Sequence, residues 1–312
     1  MTGQIDRKQI VFKSGGVNLI GYLYRQVGVD EKLPAVVMGT GFGGTQDTPA
    51  FTANAQDFAR AGFAAFTFDY RGFGESEGQP RQVVSIQDQL ADFHAAIETA
   101  RRQPGIDPEQ IALWGTSLGG GHVVCVAAGD PRVAAVVAQI PFNGFPKQVE
   151  GRSSAQTRRL LGAMLDDALR GLFRRPPHYI PAVGSTGELA VMASPEAKHV
   201  IEGMQSATWK NQVAPRALFE MMRYKPGDCA AQLAMPVLVT IGAYDKETQG
   251  DMSSQLATGA QRGVLKSYPA AHFDFYREDF RRQVIADQIA FLREHLSVPN
   301  YATLNAADPI TP

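Results

Sequence analysis

The sequence contains two Gly-x-Ser-x-Gly pentapeptides, one around Ser117 (Gly115 to Gly119) and one around Ser76 (Gly74 to Gly78). A serine between two glycines is a candidate nucleophile when the chain turns there from a strand into a helix. Its hydroxyl then stands exposed at the top of a sheet, on a strained backbone. Ser117 has that context, because the apolar run Ile111-Ala112-Leu113-Trp114 precedes it and the small-residue run Val123 to Ala128 follows. Glycine is required at positions 115 and 119, where a side chain would collide with the neighbouring strand or helix. The helix N-terminus behind Ser117 would offer free N–H groups and a positive dipole end to a developing oxyanion. Ser76 lies between Glu75 and Glu77 and before Gln79-Pro80, with no helix starting there. The expectation is that Ser117 is the nucleophile and that Ser76 sits in a solvated loop.

The elements that would hold Ser117 alternate along the chain. Gln9 to Lys13 and Val17 to Arg25 flank Ser14-Gly15-Gly16 and predict a hairpin. Leu33 to Met38, Phe63 to Tyr70, the elbow run, Val133 to Phe142, Pro236 to Ile241 and Val264 to Tyr268 read as further strands. Helices are expected over Phe51 to Ala61, Val84 to Arg102, Ser253 to Gln261 and Arg277 to Leu296. Such an order builds a mostly parallel sheet covered on both faces. Between Asn143 and Ala231 no strand of comparable quality appears. Leu160 to Phe173, Pro195 to Gln205 and Pro215 to Tyr224 read as helices there. The predicted organisation is an α/β core over 1–142 and 232–296, a helical insertion over 143–231 and a loose tail over 297–312.

A chain of 312 residues with 44% hydrophobic and 20% charged residues suits one large soluble domain with an insertion. A net charge of −1 gives no reason to expect nucleic acid or a membrane surface. The first residues lack the apolar core of a signal peptide, and no run approaches the roughly 18 apolar residues of a membrane span. The two cysteines, Cys125 and Cys229, make no framework. Cys125 is expected as a small core residue of the elbow helix, in a reducing, cytoplasmic compartment.

An opening hairpin, an elbow after the fifth strand and a helical insertion after the sixth resemble the α/β-hydrolase family, over roughly Gln9 to Leu296. Phe68 to Gly78 is similar to the family's segment after its fourth strand. Trp209-Lys210-Asn211 and Tyr224-Lys225-Pro226 resemble the insertion of a subgroup of esterase-like and polyketide-processing acyl hydrolases. The resemblance implies the α/β-hydrolase fold with a helical cap; no cofactor is expected, and no metal, because no His/Cys/carboxylate cluster has ligand spacing. It also implies a triad in the chain order serine, acid, histidine. A serine hydroxyl needs a base within hydrogen-bond reach and a third group to orient that base. Of six histidines, His94 precedes the serine and His122 lies a turn into the elbow helix, pointing away. His178 and His199 fall in the insertion, and His295 is flanked by Arg293 and Glu294 near the end of the last helix. His272 follows a strand, where the base belongs. Asp245 leaves the penultimate strand and is the expected acid, with an N-cap role as the competing reading. Glu247 and Asp251 lie nearby, on or entering the next helix.

The oxyanion donors are expected to be the amide of Leu118 and the amide of Phe42, with Gly43 as the alternative to Phe42. Relatives often carry His-Gly where this chain has Thr40-Gly41. Asp69 and Arg71 are expected to form a structural ion pair beneath the site. The expected reaction is cleavage of a carboxylic ester or thioester through an acyl-enzyme. Acyl transfer and cofactor-free peroxidation run on the same triad. A rival of another class is a nicotinamide-binding oxidoreductase, because Gly39 to Gly44 is a Gly-x-Gly-x-x-Gly after a strand, with Asp69 at the end of the next. Thr45-Gln46-Asp47-Thr48-Pro49 argues against it by separating the motif from its helix. The expected partner is a small-molecule acyl substrate, with neither nucleic acid nor membrane, and a homodimer is an open alternative to a monomer. Within the insertion, Trp209 is the candidate substrate-binding residue, with a packing role as its competitor. Met164, Met192, Met204, Met221, Met222, Leu161, Leu172, Phe173 and Phe219 are expected mostly as the insertion's own core.

Overall fold

Gly15 and Gly16 both have positive φ, as a two-residue hairpin turn requires. They join β1 (Ile5–Ser14) to β2 (Val17–Gln26), which pair antiparallel from Ile5 opposite Gln26 to Ser14 opposite Val17. The computed structural model describes residues 4–145 and 153–298. The tail predicted beyond residue 298 lies outside the described residues.

After β2 come β3 (Leu33–Gly39), α1 (Pro49–Arg60), β4 (Ala64–Phe68), α2 (Ile86–Arg101), β5 (Ile106–Thr116), α3 (Leu118–Ala128) and β6 (Val133–Gln139). The eight-stranded sheet has the order β1-β2-β4-β3-β5-β6-β9-β10, with β9 at Val237–Gly242 and β10 at Gly263–Tyr268. β2 pairs antiparallel with β4, and every later pairing is parallel. Every residue of β3, β4 and β9 is buried, as expected for strands covered on both faces. Neighbours along a strand point to opposite faces. Leu113 therefore packs with Phe93 and Val123, on the face of α2 and α3. Trp114 packs with Phe51, Phe58 and Leu292, on the face of α1 and α9 (Glu278–His295). Pro49 opens α1 at the position where a missing N–H does no harm. The chain closes with α8 (Gly250–Gly259), β10, a 3-10 turn over His272–Tyr276 and α9.

Between β6 and β9 the described residues form α4 (Ser154–Leu172), β7 (Val183–Ser185), β8 (Met192–Ser194), α5 (Ala197–Met204), α6 (Ala217–Met221) and α7 (Gly227–Ala230). A capping box between Ser153 and Gln156 starts α4. β7 and β8 pair in parallel over three residues each, too short for any sequence period to register. The helix expected over 215–224 is confined to five residues of α6. Met164 and Met221 are buried as expected, but Leu161, Leu172, Phe173 and Met222 are exposed. On α4 the inward face is Leu160, Ala163, Met164 and Asp167, which leaves Leu161 and Leu172 on the other side. Among the described residues, no helix is long and apolar enough to cross a membrane.

Candidate active site

Ser117 stands between the end of β5 and the start of α3 with φ 54 and ψ −119, a conformation that side chains rarely adopt. The surroundings hold it there. Its N–H donates to the carbonyl of Gln139 at 3.0 Å, and its own carbonyl accepts from the N–H of Phe142 at 2.9 Å. A Cβ on Gly115 would run into the backbone of Gly119, and one on Gly119 into the carbonyl oxygens of Thr40 and Gly39. Both glycines are thus demanded by backbone contacts, as the pentapeptide suggested. Leu118 is the first residue of α3, so its N–H belongs to the turn that has no partner within the helix.

Asp245 follows β9 and His272 opens the 3-10 turn after β10. The Nδ1 of His272 lies 2.8 Å from Oδ2 of Asp245, and both side chains are almost wholly buried. Asp245 also accepts from the N–H of Glu247 (2.8 Å), the N–H of Thr248 (3.0 Å) and the hydroxyl of Thr248 (2.8 Å). Asp245 is not the N-cap of α8, a place taken by Gln249; its carboxylate instead holds the turn that precedes that helix, alongside the histidine contact. Burial by itself would push this carboxyl up. The charge of His272 and the hydrogen bonds from His272 and Thr248 outweigh it and hold the group below its ordinary value. For His272, burial works downward, but the charge and hydrogen bond of Asp245 prevail and raise it above its ordinary value.

Ser117 and His272 line one cavity with Thr40, Gly41, Phe42, Phe51, Thr116, Phe273 and Tyr276. The insertion contributes Met192, Gly203 and Met204 to the same wall. Phe42 is in the loop after β3, where expected. That loop curls by a hydrogen bond from the N–H of Gly44 to the carbonyl of Gly41 (3.1 Å), and the Thr40 hydroxyl donates to the carbonyl of Gly44 (3.1 Å). Gly43 adopts φ +66 against Val213 of the insertion. A Cβ on Gly41 would stand 3.1 Å from the Cβ of Ser117, so the loop and Ser117 are in direct contact. Trp209 is not among the residues lining the cavity. Its indole N–H is buried and has no hydrogen-bond partner among the described residues.

The pattern of the family described as serine aminopeptidase, S33, spans residues 34–279. The chain belongs to this family of α/β-hydrolases. It is 35% identical over 292 residues to the quorum-quenching protein AidA of Acinetobacter baumannii, covering 93% of this chain and 95% of that one. It is 31% identical over 224 residues to the thiohydrolase aneE of Aspergillus aculeatus, covering 68% of each. The crystal structure of the α/β-hydrolase GrgF from Penicillium superposes with a TM-score of 0.78 at 22% identity, covering 93% of this chain and 99% of that one.

Two expectations need correcting in this α/β-hydrolase. Ser76 is not in a solvated loop. It is buried, its hydroxyl donates to the carbonyl of Asp69 at 2.7 Å, and it accepts from the N–H of Ile20 at 2.9 Å. Asp69 does not pair with Arg71. It accepts from the N–H and side-chain amide of Gln46 and from the N–H of Glu75, while burial pushes its carboxyl up to about 6. Arg71 instead grips Asp92 and Asp88 on α2. A fully buried Asp69 with its oxygens engaged cannot meet a ribose, which removes the dinucleotide reading together with the family assignment.

Two features escaped sequence reasoning. Beneath Ser117 runs a buried polar chain. The hydroxyls of Tyr276 and Thr116 meet at 2.9 Å, Gln139 donates to Thr116, Gln288 donates to Gln139, and Trp114 donates to Gln288. Asp47, just past the Phe42 loop, accepts from the Ser206 hydroxyl, the Thr208 N–H and the Thr208 hydroxyl. It thereby fastens the segment after α5 beside the cavity. Runs of polar residues such as Ser206 to Thr208 read only as a loop in sequence.

Proposed function

We propose that this α/β-hydrolase cleaves a carboxylic ester or thioester through a Ser117–His272–Asp245 triad and an acyl-enzyme. The observation that carries the reading is the His272–Asp245 hydrogen bond in the wall of the cavity that also holds the strained Ser117. Asp245 fixes the Nδ1 proton of His272, so that Nε2 is left as the acceptor for the serine proton. Ser117 then attacks the acyl carbonyl, and the N–H groups of Leu118 and Phe42 receive the oxyanion. The imidazolium, stabilised by Asp245, returns the proton to the leaving alkoxide or thiolate. Water, activated by the same histidine, releases the acid. The walls from Phe42, Phe51, Met192, Met204 and Phe273 suit an apolar acyl group. The name of the thiohydrolase relative supports extending the leaving group to a thiol. The insertion acts as a cap, selecting substrates and excluding water without supplying a triad member.

Treatment with a fluorophosphonate, followed by peptide mapping, tests the assignment. One adduct is expected, on the peptide carrying Ser117, and Ser117→Ala should abolish both the adduct and hydrolysis of p-nitrophenyl acetate and a short acyl thioester. Labelling elsewhere, or none on the folded protein, overturns it.

A further inference from the structure

We infer that Cys125 and Cys229 are a reversible disulfide site, closed by exchange with a small-molecule disulfide such as glutathione disulfide. They are the only cysteines in the chain and stand 104 positions apart, yet the fold brings their sulfur atoms to 2.7 Å. Cys125, expected as a small core residue, is instead half-buried and faces Cys229. Cys125 lies on α3, about two turns beyond Ser117. Cys229 lies on α7, where the chain leaves the insertion for β9. Both residues are half-buried, which leaves the pair open in part to a small reagent. Neither lines the cavity of Ser117, so the inference does not depend on the proposed hydrolysis.

The two thiols are unequal. The hydrogen bond with Cys125 holds the thiol of Cys229 below its ordinary value, while the bond with Cys229 and burial push Cys125 up. Cys229 is accordingly the thiolate that opens the exchange. It attacks one sulfur of the external disulfide and displaces the other half as a thiolate, leaving a mixed disulfide on Cys229. Cys125 then gives up its proton, attacks the sulfur of Cys229 and displaces the second half. In sum, two protein thiols and one small disulfide become one protein disulfide and two small thiols, the protein's two hydrogens passing to the reagent. Excess thiol runs the same steps backwards.

The closed ring contains β6 and the described insertion. Oxidation thus ties the point where the insertion returns to the helix that carries the nucleophile. A link across so long a stretch restricts the unfolded chain and should raise the melting temperature by several degrees.

The test uses the intact protein, reduced, freed of reductant and incubated with glutathione disulfide. The expected product is lighter by two hydrogens and has no thiol left to alkylate. A non-reducing peptide map should join the Cys125 and Cys229 peptides. Dithiothreitol should restore both thiols and the lower melting temperature. Cys125→Ser should stop at the intermediate and keep one glutathione on Cys229. Glutathione adducts on the wild type that never resolve, disulfide-linked dimers, or thiols that stay free until the protein is unfolded would each overturn the inference.

Discussion

Asp245→Asn removes the charge of the proposed orienting residue at nearly constant size. The carboxylate accepts from the His272 ring, from two backbone N–H groups and from one hydroxyl. An amide oxygen can still serve the two backbone groups, and the amide NH2 can donate to the Thr248 hydroxyl. It cannot accept the Nδ1 proton of His272. The ring is then driven to the tautomer protonated on Nε2, which presents a donor where Ser117 needs an acceptor. By analogy with the serine-protease template, kcat should fall about 10⁴-fold, equivalent to about 5 kcal/mol of barrier. The pH profile adds a second readout. His272 must be neutral to act, and in the wild type Asp245 outweighs burial and holds it above 6.5, so the acid limb of kcat/KM lies above that pH. In the variant only burial remains of these two, and the limb of the residual activity moves to lower pH. Stability follows the same pair. The contribution of His272, whose pKa is raised, is fully present below 6.5 and lost as pH rises through its folded value. That of Asp245, whose pKa is lowered, is present above 3.8 and lost as pH falls through its folded value. The melting-temperature gap between wild type and variant should therefore be wider near pH 5.5 than near pH 8.5. Steady-state hydrolysis of p-nitrophenyl acetate across this range is the assay, with Glu247→Gln as comparator. A variant within about tenfold of wild type, an unmoved acid limb, or a Glu247→Gln enzyme that is the crippled one refutes the reasoning.

Three further perturbations probe the loop, the support beneath it and the insertion. Gly41→Ala would place a methyl 3.1 Å from the Cβ of Ser117 and 3.3 Å from the Thr116 carbonyl. The serine must give way, and kcat and fluorophosphonate labelling should fall together by up to about 100-fold. Gln288→Leu leaves the N–H of Trp114 and the side-chain carbonyl of Gln139 without their partner inside the core. At about 1–3 kcal/mol for each of the two stranded groups, urea titration should show a loss of about 2–6 kcal/mol. Gly203 lines the cavity, and a Cβ there meets nothing within 4 Å, so the side chain of Gly203→Phe starts into open space. It should lower kcat/KM for long-chain p-nitrophenyl esters more than for the acetate; equal changes would remove Gly203 from the acyl path.

The elbow was legible because its physics is local: Ser117 and the glycines that permit it lie within five residues and answer to one backbone turn. Asp245 and His272 lie 27 residues apart in the chain, yet both leave strand ends. Once the alternation of strands and helices was read, the sheet itself brought them to one edge. What stayed hidden was partner choice among polar side chains. Asp69 and Arg71 sit two positions apart on the chain leaving β4, and opposite charge made them an obvious pair. Two residues apart on extended chain, however, need not mean a shared environment. Asp69 is fully buried and meets the amide of Gln46, whereas Arg71 reaches the helix α2 and finds Asp92. The same holds for Gln288, 174 positions from Trp114, and for Asp47 with Thr208, 161 positions away. None of these contacts has a period or a spacing, since each is set by how finished elements dock. The insertion shows the consequence most directly. Its helices were visible as apolar runs, but the residues it turns toward Ser117 are Met192, Gly203 and Met204. A methionine pair reads as core and a glycine late in a helix reads as a weak point. The hold of Asp47 on the segment after α5, together with Gln82 on Gln212 and Glu220 on Ile86, docks the insertion so that those three form a wall of the site rather than part of a separate bundle.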